Sequence, residues 1–235
     1  MISKDQDNYV LSLGPVPLAK NDLCIVNEFD KMHPEQQNNL LDVMEEGEIV
    51  VNKFAKLHKI ASPTTIIATA NPRNNKWKNP GKIGLDEIPF ESIILNRFDL
   101  VLVFQDITNE QSIRDFADSK TSYDEKHIEH NYNFLEKYID HARTINPELL
   151  AEANSILNEY WVSLKKKNEY LVTNRTLESI HRIAKAFARL NLSDIVDSKI
   201  AYETIKFMDT VFKEFYSCIH YIPEPIVFFL VVLRL

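Results

Sequence analysis

Leu23-Cys24-Ile25-Val26-Asn27-Glu28-Phe29-Asp30-Lys31-Met32 is the stretch on which the fold turns. Its four leading apolar residues are too short a run for a helix, and they stop abruptly at Asn27-Glu28. That is the pattern of a buried strand delivering polar groups at its carboxyl end. In open α/β sheets ligands gather at that end. A carboxylate placed there suits nucleoside-triphosphate hydrolysis, where one acid holds the magnesium shell and a following glutamate polarises the attacking water. The same pattern is also that of an ordinary strand with a solvated end.

Working outward, His33-Pro34-Glu35 opens a helix, with Pro34 in its first turn and Glu35 favourable to the dipole. Leu40, Leu41 and Met44 form its inner face and Gly47 stops it. Glu48 to Val51 then reads as strand, and Lys53 to Lys59 as a turn that returns the chain. Thr64 to Thr69 is a second buried strand ending at Ala70-Asn71-Pro72, and Arg73 to Gly84 is a loop. Ser92 to Asn96 ends a short helix, and Leu100 to Phe104 is a third strand. Strands joined through helices and a hairpin predict an α/β fold with a parallel sheet and crossover connections.

Near residue 106 the texture changes to a period of 3.6. Ala153, Ile156, Leu157, Tyr160 and Leu164 form one apolar stripe; Leu177, Ile180, Ile183, Ala184 and Phe187 form another, capped by Thr173 or Asn174. Ile200, Ile205, Met208 and Val211 suggest a third helix. A small helical bundle over 107–220 is the simplest account. The segment 221–235 is an apolar tail: a buried strand, a buried helix or a dangling edge. Ten apolar residues rise about 15 Å as a helix, half of a bilayer core, so they do not span one. Stopping in a bare hydrophobic run hints at an incomplete chain.

Composition sets the outer limits. The 235 residues are 45% hydrophobic and 26% charged, which excludes disorder and collagen-like repeats. Acids outnumber bases 34 to 27, so nucleic acid could be held only through a local basic patch. Two cysteines are too few for a disulfide framework or a zinc site and fit a reducing cytosol. The amino terminus has no apolar export core. Only 4 glycines are present, and no G-x-x-x-x-G-K-[ST] loop exists among them. Asn71 before Pro72 is either a turn residue or a ligand to phosphate or water. Arg97 beside Asp99 is either a surface ion pair, worth under about 1 kcal/mol, or a cation for a developing phosphate charge.

Taken in order, these segments resemble the minichromosome maintenance (MCM) family, the AAA+ motors of the replicative DNA helicase. Leu23 to Met32 is similar to the family's extended Walker B segment, Ala70-Asn71-Pro72 to sensor 1, and Asn96-Arg97-Phe98-Asp99-Leu100 to its arginine-finger motif, with Asn96 in place of Ser. Lys137-Tyr138-Ile139 through Arg143 and Pro147 resembles the entry into the helical lid, Asn174-Arg175-Thr176-Leu177-Glu178 sensor 2, and Leu192-Ser193-Asp194 the segment after it. The resemblance implies a partial AAA+ core over 1–106, with a β-hairpin insert, followed by a helical lid over 107–220.

It implies roles as well. Glu28 would activate water and Asn71 would position it; Arg97 and Arg175 would reach the nucleotide of a neighbouring subunit. Asn27, Glu28 and Asn71 would meet ATP, and Asn27 the Mg2+ shell. Lys53, Lys56 and Lys59 would contact DNA from a hairpin in the central channel. Partners would be DNA and other MCM-type subunits in a homo- or hetero-hexamer, with a P-loop-bearing fragment as a further one. No membrane is implied. The place of action would be the prokaryotic cytoplasm, at the nucleoid, or the eukaryotic nucleus.

Three departures qualify those expectations. The glycine loop is missing, and the family places it upstream of Walker B. Asn27 stands where an acid is expected, offering one neutral acceptor oxygen in place of a charged pair. Pro63 stands where the family usually has arginine. The absent P-loop strand would lie between the strands ending near Thr69 and Phe104, so two bare strand edges are expected. The alternative to an active helicase ATPase is an inactive or truncated structural subunit that donates its arginines to a partner.

Overall fold

The computed structural model describes residues 2–5, 8–11, 13–53, 56–73, 88–105, 110–121, 125–167, 169, 172–218 and 226–232. The expected loop from Arg73 to Gly84 lies, beyond Arg73, outside them. In chain order the elements are a hairpin, β1 (Ile2–Asp5) with β2 (Asn8–Leu11), then α1 (Pro15–Leu18), β3 (Leu23–Val26) and α2 (Pro34–Glu46). A second hairpin, β4 (Glu48–Lys53) with β5 (Lys56–Ala61), leads to β6 (Thr65–Ala70), α3 (Ser92–Leu95) and β7 (Leu100–Gln105). The helical half contains α4 (Glu110–Thr121), α5 (Glu125–Thr144), β8 (Glu148–Leu149), α6 (Ala151–Lys167), α7 (Asn174–Leu190), β9 (Ile195–Val196) and α8 (Ser198–Cys218). The chain then returns as β10 (Ile226–Val232).

Local chemistry accounts for the boundaries. Helix α2 begins where His33 Nδ1 accepts from the Glu35 amide at 3.4 Å and Pro34 presets φ. It ends at Gly47, whose φ of 69° is the left-handed value that glycine adopts without penalty. At the start of α7 the Thr173 amide donates to Thr176 Oγ1 at 3.0 Å.

The central sheet has the order β3-β6-β10-β7. β3 runs parallel to β6, as the crossover through α2 requires. β10 is antiparallel to both its neighbours, pairing Phe228 with Ala70 and Val232 with Ile66 on one side, and Ile226 with Gln105 and Val231 with Leu100 on the other. Two expectations change here. The sheet is mixed, not wholly parallel. The edges of β6 and β7, expected to be bare, are both satisfied by the apolar tail. A seven-residue run of Ile, Val, Phe and Leu has the β-branched and aromatic content a central strand needs.

The sheet has a core on each face. On one, Ile66, Ala68 and Ala70 of β6 pack with Leu40, Val43 and the ring cluster of Phe29, Phe90 and Phe98, whose centroids lie 5.0 and 6.0 Å from that of Phe29. On the other, Leu157, Ile180, Val196 and Met208 pack with Leu100. β7 divides its side chains between the two, Val101 toward the first and Leu102 toward the second. The helical bundle is therefore docked on the sheet, with α8 lying against β7. Among the described residues, no helix is long and apolar enough to cross a membrane.

Candidate functional site

The strand ends assemble first. Because β3 and β6 are parallel neighbours, Asn27, Glu28 and Asn71 emerge at the same edge. Thr69 joins them: its hydroxyl accepts from the Glu28 amide at 3.2 Å and donates to Asn27 Oδ1 at 3.4 Å. The Asn71 amide donates to Asp30 Oδ1 at 3.0 Å, and Lys31 lies 3.2 Å from the same carboxylate's other oxygen. Glu28 sits at φ 54°, ψ 46°, a left-handed conformation that costs a non-glycine residue about 1–2 kcal/mol. That turn keeps its side chain exposed.

Asn27 already has a partner at this edge. Its single side-chain carbonyl oxygen is engaged with Thr69, and Asp30 is engaged with Asn71 and Lys31. Among the described residues there is no group of three metal-ligating side chains. Through Thr69, Asn27 also ties β3 to β6.

The arginines meet elsewhere. Arg97 follows α3 and Arg175 opens α7, yet both line one cavity of about 710 Å3. Glu45, in the last turn of α2, holds them together: Oε2 accepts from Arg97 Nη1 and Oε1 from Arg175 Nη2. Arg97 Nη1 also donates to the Leu41 carbonyl at 3.4 Å. The Arg97 hydrogen bond, followed by the charge of Arg175, keeps the Glu45 carboxyl below its ordinary pKa. Pro63 lines the same cavity.

Asp99 is not the surface partner of Arg97. Its side chain is 2% exposed; it accepts from Arg182 Nη2 at 2.6 Å and from the Ser179 hydroxyl, tying β7 to α7. Sequence reasoning missed Glu45 and Arg182. One signal did point to Glu45: Glu45 and Glu46 end a helix that has no base in its last turn, which the dipole disfavours unless a cation is near.

The hairpin is longer than expected. Lys53 to Lys59 is not a turn: strand structure continues to Lys53 and resumes at Lys56, which pair across the closing end. Residues 54–55 lie outside the described residues. Lys59 Nζ lies 2.8 Å from Glu48 Oε1, and that contact raises the pKa of its amine. Lys59 is therefore a cross-strand partner within the hairpin, with its side chain still 61% exposed.

Comparison with known proteins agrees with this architecture. Residues 1–122 match the MCM P-loop domain and residues 133–212 the MCM AAA-lid domain. An uncharacterised MCM-type protein of Methanocaldococcus jannaschii is 32% identical over 93% of this chain and 31% of its own length. The DNA replication licensing factor mcm4 of Schizosaccharomyces pombe is 31% identical over 91% of this chain and 26% of its own. The minichromosome maintenance protein MCM of Saccharolobus solfataricus is 28% identical over 87% and 31%. The chain thus spans about a third of these relatives or less. Matched over both its α/β and its helical part, the chain belongs to the MCM family.

Proposed function

We propose that this chain is part of an MCM-type ATPase of the replicative DNA helicase, working in a ring of such subunits that unwinds DNA. Glu28 activates the lytic water and Asn71 orients it. Arg97 and Arg175 stabilise the charge that develops on a neighbouring subunit's triphosphate. The observation that carries this reading is the convergence of those two arginines, from opposite halves of the chain, in one cavity. The licensing-factor names of its relatives support the setting in DNA replication. The ring acts where the genome lies, in a nucleus or at a prokaryotic nucleoid.

ATP needs a cradle for its β- and γ-phosphates, and these 235 residues contain no glycine loop of that kind. The cradle comes from outside them. The neutral Asn27, engaged with Thr69, favours a second reading: a subunit that donates Arg97 and Arg175 while its own nucleotide site is silent.

Mixing the chain with an MCM-type subunit that carries the glycine loop tests both. Arg97→Ala should lower the partner's ATP turnover about 10³-fold, and Arg97→Lys should not restore it. An unaffected partner overturns both readings. Glu28→Gln separates them, because it removes turnover only if this chain's own strand end hydrolyses ATP.

A further inference from the structure

The cavity that gathers Arg97 and Arg175 is lined by five guanidiniums and three carboxylates, so it keeps an excess of positive charge. Two of the guanidiniums have structural duties: Arg182 neutralises buried Asp99, and Arg189 Nε donates to the Ile145 carbonyl at 2.8 Å. Arg143 lies 3.6 Å from Asp22. The pair at 97 and 175 is different, since among the described residues Glu45 is the one carboxylate shared between them. Each guanidinium offers it a single nitrogen, and each of its oxygens takes one. A forked, bidentate contact would hold more tightly. Glu45 is 38% exposed and Arg175 34%, with Arg97 14%, so solutes reach Glu45 and Arg175 first and Arg97 through them.

We propose that Glu45 is a resident anion, occupying the guanidinium donors that a polyphosphate tail would take and yielding them when one arrives. This rests on the proposal that Arg97 and Arg175 serve a triphosphate, and adds the group that holds them in waiting. Two oxygens bridging two cations is an arrangement a terminal phosphoryl group reproduces, with a third oxygen and more charge. The ligand chemistry is therefore an oxyanion chain, either the tail of a nucleotide or a free polyphosphate. Glu45 ends α2, directly before the β4–β5 hairpin, and Gly47 between them takes a left-handed φ. Release of Glu45 thus frees the helix end from which the hairpin springs.

Calorimetric titration of the purified chain with inorganic tripolyphosphate at low salt tests the idea without any partner ATPase. Glu45→Gln keeps the side-chain length, removes the competing charge and should bind at least tenfold more tightly. Arg97→Ala or Arg175→Ala, added to Glu45→Gln, should abolish the gain. Equal or weaker binding by Glu45→Gln overturns the proposal and leaves Glu45 a structural tie. ATP should show the same gain as tripolyphosphate, and adenosine none; a gain confined to ATP also overturns it. In the unsubstituted chain, saturating tripolyphosphate should shift the carboxyl carbon signal of Glu45, and an unmoved signal counts against displacement. The partner-turnover experiment can fail while this one succeeds, and the reverse, so the two readings fall separately.

Discussion

His181 sits on α7, half-buried, with its Nε2 buried and without a hydrogen-bond partner among the described residues. Burial, then the charge of Lys185, pulls its pKa below the ordinary value, with Glu178 opposing. The folded state therefore holds it neutral, while the unfolded chain protonates near pH 6.5. Its contribution is fully present above that pH and is lost as pH falls through the lowered folded value. Thermal midpoints measured from pH 7.5 down to 5.5 should fall, and His181→Leu should remove part of that fall. At the same scale the sequence was legible where structure is local, as in the strand ends that carry Glu28 and Asn71 to one edge. At Glu45 it marked only an acidic helix end in need of a cation, because its two partners are separated from it by whole elements.

The β4–β5 hairpin shows what an element's pattern can and cannot reveal. Leu57, His58 and Lys59 are all exposed in succession, so the middle of β5 shows no alternation of two. That is why it reads as a turn. β6, by contrast, alternates buried and half-buried residues along its length and is plain from sequence. Lys53 and Lys56 stand opposite each other at the closing end, while Lys59 is engaged with Glu48. We propose that DNA contact is concentrated at that tip. Lys53→Ala should weaken binding to single-stranded DNA irrespective of sequence and lower the slope of log affinity against log salt by about 1. Lys59→Ala should change that slope less.

For the molecule as a whole, the return of β10 matters most. The tail was visible as an apolar run, but its partners were not, because strand pairing across the helical half leaves no trace in local periodicity. β10 supplies the ladders on both its sides and separates β6 from β7. Truncation after residue 222 should lower the thermal midpoint by at least about 10 °C and produce light scattering that grows with concentration. Fluorimetry and scattering on the same sample would check both. The arrangement also fixes a schedule for synthesis. β6 and β7 leave the ribosome long before the strand between them, with every helix from α4 to α8 made in the interval. At about 5–20 residues per second that interval lasts on the order of ten seconds. Throughout it the nascent sheet is split down its middle, and it can zip shut only after residue 232 emerges.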